Sequence, residues 1–386
     1  MRLLTVTNLY PPQNLGGFGL CIERLVKGLT ASGYSPHVLT SDQPYLGPTG
    51  DAPEVLRLLE LLGSYENGVS RLNDSQEEQR RAHQNLQRVR QVLDRLQPQA
   101  CLVGNLDLLG TDLLHAITER GIPTIQHVGF MAAPFPLEAF PKEATYSMAF
   151  ASREAKRLLA AQGFPVEGHP VVHPPLAPDT DTTRPHQPEQ RDHLRIGYSG
   201  LLMHSKGVHN VLEACVMLKQ RGIPFRLEVA GKAFAPDYGQ QLRTYAIGQG
   251  IDDRVHWLGF LEGQSLHDFY RKLDVLVFPS LHPESFGMVV AEAMAQGVVP
   301  ISSGVGGAFE VITHGVDGLL VQPGSSSAVA EALLWCHSED LGLRRLSRNA
   351  QRHALSRFTA TRSARVLDET FRRLQTLSKP SMVTFA

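Results

Sequence analysis

Two glutamates eight residues apart, in the stretch HPESFGMVVAEAMAQG, are the side chains here best suited to hold a polyhydroxylated ligand. The pattern puts Glu284 in a loop, Ser285, Phe286 and Gly287 at a helix start, Glu292 inside that helix and Gly297 at its end. A carboxylate accepts two hydroxyl hydrogens through its two oxygens, which matches the vicinal diol of a ribose or a hexose. Between the glutamates, the N–H groups of Phe286, Gly287, Met288 and Val289 fall in a first helical turn, where no partner exists within the helix, so they favour phosphate or sugar oxygens. The plainer alternative is that Glu284 caps the helix and Glu292 is solvated, and the stretch alone admits both. Lys206, in GYSGLLMHSKGVHNVLEA, follows a strand pattern and precedes Gly207, which opens a helix. An ammonium beside a glycine turn suits a diphosphate as a point charge. Taken alone, such a lysine is more often a surface residue.

A further stretch, LYPPQNLGGFGLCIERLVKGL from Leu9, carries Gly16 and Gly17 between a strand pattern and an amphipathic helix. A glycine-rich turn at a helix N-terminus offers bare N–H groups to an anion. The dinucleotide pattern G-x-G-x-x-G is incomplete, because Gly17 and Gly19 are followed by Ile22 where a third glycine belongs. Asp42 does end the second strand pattern, where a nicotinamide enzyme would hold a ribose. A turn needing positive φ explains one glycine more easily than two.

The elements that would position these residues alternate. Short apolar or β-branched runs (LLTVTN, SPHVLT, ACLVGN, IPTIQH, YSMAFAS, then LRIGYSG, FRLEVAG, RVHWLG, DVLVFPS, GVVPIS, DGLLVQ) are separated by helical patterns. This predicts an α/β protein of two Rossmann-like, doubly wound parallel sheets. Residues 177–193, APDTDTTRPHQPEQRDH, have little to bury and read as a linker between domains over 1–176 and 194–360, with a last helix over 361–386. Two such domains facing each other would leave a cleft at the carboxyl ends of their strands, where ligands of this architecture bind. Residues 56–96 read as helical, with seven arginines against six acidic residues. A solvated helix pair is expected there, and peripheral membrane contact through the N-terminal domain is the alternative.

A chain of 386 residues exceeds one ordinary core and suits two domains. With 42% hydrophobic and 19% charged residues and a net charge of −1, it is of soluble globular type, with no basic excess for nucleic acid. Cys21, Cys101, Cys215 and Cys336 form no C-x-x-C pair and read as buried thiols of a reducing compartment. No apolar run reaches the length of a membrane span and the N-terminus is too polar for a signal peptide, so a cytoplasmic location is expected. The D-x-D at Asp179–Asp181 lies in the linker without strand context, and the sixteen histidines show no close pair on a helix face. No metal and no cofactor are expected.

In combination these stretches resemble the retaining glycosyltransferases of group 1, the family-four type, whose GT-B fold is shared with bacterial glycogen synthases. The resemblance covers nearly the whole chain. It runs from the Gly16-Gly17 turn through LQPQACLVGN, IPTIQH ending at His127, VVHPPLAP, SGLLMHSKGV and VHWLGFL to the Glu284–Glu292 pair, GVGGAFEVITHGVDGLLVQPG and RFTATRSARVLDETFRRL. It implies an acceptor-side N-terminal domain, a donor-side C-terminal domain and a last helix that crosses back to the first domain. The implied reaction is metal-independent transfer of a hexose, with retention, from a nucleotide-diphosphate sugar such as UDP-glucose. The implied acceptor is a glycan, a lipid-linked or a small molecule of polysaccharide or glycoconjugate biosynthesis.

The resemblance also assigns roles. Gly16 and Gly17 would lie against the donor diphosphate or the transferring sugar, and His127 would hydrogen-bond that sugar near the reaction centre. Lys206 would hold the diphosphate, Glu284 the sugar hydroxyls and Glu292 the ribose diol; His127, Glu284 and Lys206 are the catalytic set. The backbone from Ser285 through Phe286, Gly287, Met288 and Val289 would complete the donor pocket with Gly200, and the strand end from Leu258 to Leu261 would meet the base. One departure stands out: the arginine usual after Gly200 is Leu201 here, and His204 or Lys232 would have to replace its charge. A sugar-nucleotide epimerase on the same fold, or a sugar-nucleotide-binding protein without transfer activity, are the alternative functions.

Overall fold

The computed structural model describes residues 1–50, 52–66, 69–177 and 192–378. Contacts divide the chain into two compact units, Met1–Pro175 with Ala360–Ala386, and Leu176–Thr359. Most of the expected linker, including Asp179–Asp181, lies outside the described residues.

The first unit runs β1 (Arg2–Val6), α1 (Gly17–Ala31), β2 (Ser35–Ser41), β3 (Val55–Leu59), a short hairpin of β4 (Gly63–Ser64) and β5 (Ser70–Arg71), α2 (Ser75–Leu96), β6 (Ala100–Val103), α3 (Asp112–Thr118), β7 (Thr124–Val128), β8 (Tyr146–Phe150) and α4 (Arg153–Ala161). Its six-stranded parallel sheet has the order β3-β2-β1-β6-β7-β8. β6 and β7, inside this sheet, are buried on both faces, as a parallel sheet covered by helices requires.

Residues 56–96 correct the sequence reading. They are an edge strand, a hairpin and a single helix rather than a helix pair. Two tertiary ties fix this outcome. The side chain of Asn85, fully buried on α2, accepts from Glu60 N (2.8 Å) and donates to Glu60 O (2.7 Å), holding the helix on the chain that leaves β3. Arg57 donates to the carbonyls of Ser41, Tyr10 and Pro11, tying β3 to the turn after β1. Asp74 starts α2 by accepting from the N–H groups of Gln76 and Glu77. Arg80, Arg81 and Arg88 pair with Glu60 or Glu77.

The second unit runs β9 (Leu194–Ser199), α5 (Val208–Gln220), β10 (Phe225–Ala230), α6 (Pro236–Gly248), β11 (Val255–Gly259), α7 (Gly263–Arg271), β12 (Val275–Phe278), α8 (Met288–Ala295), β13 (Val299–Ser302), β14 (Leu319–Leu320), α9 (Ser326–Ser338) and α10 (Asp340–Arg357). Its parallel sheet has the order β11-β10-β9-β12-β13-β14. Apart from the hairpin, both units thus use the doubly wound order 3-2-1-4-5-6, in which winding reverses between the first and fourth strands.

The last helix, α11 (Ala360–Ser378), belongs to the first unit and lies along α1. Its contact is close because Gly28 of α1 has no side chain: a Cβ there would stand 2.9 Å from the Ala360 carbonyl oxygen. Ala364, Leu367 and Phe371 are fully buried, and Tyr34 Oη donates to Asp368 Oδ1 at 2.8 Å. The four cysteines are buried, and no described helix is long and apolar enough to cross a membrane.

Candidate functional site

In the second unit, Lys206 follows β9 and Glu284 follows β12, the two strands that flank the reversal point. Their side chains meet. Lys206 Nζ lies 2.7 and 2.9 Å from the two Glu284 carboxylate oxygens, and Ser280 Oγ donates to Oε1 at 2.6 Å. Two glycine turns bring them together. Gly207, at φ +70°, is where the chain turns into α5, and a Cβ on it would lie 2.1 Å from the Pro279 carbonyl oxygen. Only glycine lets the Lys206 turn rest on the loop after β12, where Leu281 N donates to Ser205 O. On the other side, Glu284 N donates to Val305 O (3.1 Å) and Gly307 N to Glu284 O (2.6 Å). Gly306 faces this bridge at φ +69°, and its Cβ would stand 2.5 Å from Glu284 O. Lys206 and Glu284, expected to serve different parts of a ligand, pair with each other and fix each other's direction.

The helix between the glutamates starts later than expected. Gly287, at φ +95°, is the N-cap and Met288 the first helical residue. Val290 and Ala291 both donate to Gly287 O, whereas the N–H groups of Met288 and Val289 meet no acceptor among the described residues. These two, rather than four, are the N–H groups left over at the half-buried N-terminal turn of α8. Phe286 turns inward, 1% exposed and edge-on to Phe358 at 5.0 Å, so it offers backbone only. Ser285 is half-buried beside it. Glu292, on the second turn of α8, is half-buried with Oε2 3.4 Å from Tyr270 Oη.

Gly200 takes φ +141°, and Leu202 N donates to Lys232 O, so the turn bearing Leu201 runs beside Lys232. Lys232 is exposed, and His204 is exposed and stacked on His209 with ring centroids 4.4 Å apart. At the end of β11, Leu258 and Phe260 are exposed, while Leu261 packs against the cluster containing Phe269 and Tyr270.

The first-unit candidates are placed differently. Gly16 N-caps α1 at φ +73°, ψ −165°, a conformation open essentially to glycine, yet nothing lies within 4 Å of where its Cβ would be. Backbone shape, not crowding, explains that glycine. The tightly packed one is Gly19, where a Cβ would stand 3.1 Å from Asn14 Cβ, and Gly17 is exposed as the first residue of α1. His127, near the end of β7, is 2% exposed, and Nε2 donates to Val172 O at 3.0 Å. That leaves Nδ1 as an acceptor with no partner among the described residues. Burial is the main cause that lowers its pKa to about 4, so the ring is neutral near pH 7. Phe18 sits 6.0 Å from this ring, stacks on Phe130 and covers Gly129, where a Cβ would clash with it at 2.0 Å. Sequence reasoning missed Phe18 and Tyr270, because nothing in their local spacing signals a partner so distant in the chain, and Ser280, although it lies only four residues before Glu284. Asp42 accepts from Gln13 Nε2 and so anchors the turn after β1.

Two doubly wound parallel domains of this kind define the GT-B architecture, and solved structures bear it out. Sucrose-phosphate synthase of Thermosynechococcus elongatus superposes with a TM-score of 0.77 at 16% identity, over 97% of this chain and 99% of that one. HepE of Anabaena, solved in complex with UDP and glucose, gives 0.72 at 19% identity over 96% and 99%. The sequence model of the family described as glycosyl transferases group 1 matches residues 179–353. A D-inositol 3-phosphate glycosyltransferase of Corynebacterium urealyticum is 31% identical over 186 residues, 47% of this chain and 43% of that protein. The chain thus spans less than half the length of that relative. Among the described residues, no group of three or more His, Cys, Asp or Glu is placed to hold a metal ion.

Proposed function

We propose that the chain is a retaining glycosyltransferase that transfers a hexose from a nucleotide-diphosphate sugar to a glycan, lipid-linked or small-molecule acceptor. The observation that carries this is the gathering of Lys206, Glu284, Glu292 and the N-terminal turn of α8 at the reversal point of one sheet, all within the matched region. Glu292 takes the ribose diol, Glu284 the sugar hydroxyls, and Lys206 with the Met288 and Val289 N–H groups the diphosphate. Gly16, Gly17 and the Nδ1 acceptor of His127 serve the transferring sugar and its diphosphate, and Gly200 and Leu261 border the nucleotide. HepE, named in complex with UDP, makes a uridine nucleotide the first donor to test.

In the proposed reaction the leaving diphosphate takes the acceptor hydroxyl's proton on the face from which it departs. The protein contributes positioning and stabilisation of the charge that develops on the leaving group. Lys206 and the α8 N-terminus supply positive charge without a metal, so EDTA leaves turnover nearly unchanged; loss on chelation with recovery on adding manganese overturns that point. Glu292→Ala weakens UDP by about 1.5–3 kcal/mol in calorimetry, through lost charge-assisted hydrogen bonds. An unchanged dissociation constant removes Glu292 from the site. Turnover of a radiolabelled donor separates the functions: transfer yields a new glycoside, epimerisation a new nucleotide sugar, and binding alone neither.

A further inference from the structure

Of the pair Lys206 and Glu284, the surrounding chain holds the glutamate more firmly than the lysine. The Glu284 side chain is 14% exposed against 27% for Lys206. Its backbone is bound on both sides, N to Val305 O and O by Gly307 N, and its Oε1 accepts from the buried Ser280 Oγ at 2.6 Å. The ammonium sits at the end of a flexible aliphatic stem, with Nζ 2.7 and 2.9 Å from the two carboxylate oxygens and 5.8 Å from the centre of the Phe278 ring. A ligand that engages Lys206 therefore draws the ammonium from a carboxylate that stays where it is. Taking one partner from a half-buried pair leaves the other charge uncompensated, unless the ligand also brings hydrogen-bond donors to it.

We infer that this pair couples the two halves of the donor: Glu284 competes with the diphosphate for Lys206, and the hexose relieves the competition by giving its hydroxyl hydrogens to Glu284. This rests on the reading above that Lys206 takes the diphosphate and Glu284 the sugar hydroxyls, and it adds a role in product release. An intact nucleotide sugar satisfies both side chains. The nucleoside diphosphate left after transfer takes the ammonium, gives the carboxylate no donor and sets its own negative charge against it. The pair thus weakens the product relative to the donor. The coupling is reciprocal, so hexose and diphosphate each strengthen the binding of the other.

The measurement is the dissociation constant, by calorimetry and without acceptor, of whichever of UDP-glucose, GDP-mannose or ADP-glucose binds most tightly, and of the nucleoside diphosphate it contains. Glu284→Gln, which keeps the shape of the side chain, tightens the diphosphate about three- to tenfold and does not tighten the nucleotide sugar. In the wild type, where no substitution can disturb folding, a large excess of the matching free hexose also tightens the diphosphate. Lys206→Ala weakens the diphosphate, and in that background Glu284→Gln tightens it by less than about twofold. Failure of either Glu284→Gln or the free hexose to tighten the diphosphate, while Lys206→Ala weakens it, overturns the coupling and leaves the diphosphate site standing. An equal gain from Glu284→Gln in the Lys206→Ala background assigns the effect to plain repulsion and overturns the competition for the ammonium. A diphosphate unaffected by Lys206→Ala, or no binding of any of the three nucleotide sugars, overturns the diphosphate site and the inference together.

Discussion

The turns that follow the first strand of each unit occupy equivalent places in the same sheet order, yet they are finished in opposite ways. After β9, Gly207 is wedged against Pro279 O, Ser205 O is bound by Leu281 N, and Lys206 is clamped by Glu284. After β1, Gly16 and Gly17 are exposed, and among the described residues nothing beyond its chain neighbours lies within 4 Å of the would-be Gly16 Cβ. The second unit holds its chemistry in a preformed geometry, whereas the first presents a strained but uncrowded backbone to whatever approaches it.

The sharpest test compares the two glycines. Gly207→Ala meets both a left-handed backbone and a backbone clash, and costs about 3–4 kcal/mol in denaturant unfolding. Gly16→Ala meets conformational strain alone and costs about 1–2 kcal/mol. Equal losses would break the contrast between a wedged turn and an open one.

A second test sits in the first unit, at the buried His127. Its pKa falls from an ordinary 6.5 to about 4 chiefly through burial, with nearby His173 acting in the same direction and the bond to Val172 opposing. Between these values the unfolded chain binds more protons than the folded one. The stability due to neutral His127 is therefore complete above about pH 6.5 and lost as pH falls towards 4, by about 3 kcal/mol in all. His127→Gln flattens this acid slope in unfolding measured at pH 7, 5.5 and 4.5. A slope that survives the substitution assigns the titration to another group.

The smallest expected effect concerns the missing arginine. If Lys232 supplies the charge that Leu201 does not, Lys232→Ala weakens UDP by about 1–2 kcal/mol and leaves uridine unaffected. An unchanged ratio of UDP to uridine affinity shows Lys232 to be an ordinary surface lysine.

Legibility followed the same division. Every strand of the second unit appears in the sequence as a short apolar run, because β9, β12 and β13 are buried on both faces. In the first unit β3 escaped notice. VLRLL is an edge strand with a mixed pattern, and its pairing depends on Arg57 and Asn85, whose partners are 16 to 47 and 25 residues away. At the candidate site, residue types and spacing pointed to Lys206, Glu284 and Glu292. Their mutual arrangement was illegible, since the Lys206–Glu284 contact joins positions 78 residues apart. The glycine at position 16 was legible as a requirement but not as to cause: φ, rather than a neighbour, excludes a side chain.

The place of α11 in the first unit sets an order of events during synthesis. Residues 176–359 leave the ribosome before residue 360, so the second unit has all its own strands and helices while the first still lacks the helix that covers Gly28 and Tyr34. The unit made first is thus the last to be completed, and the side of α1 that α11 covers stays open to water, or to a chaperone, for the whole time the second unit is being translated.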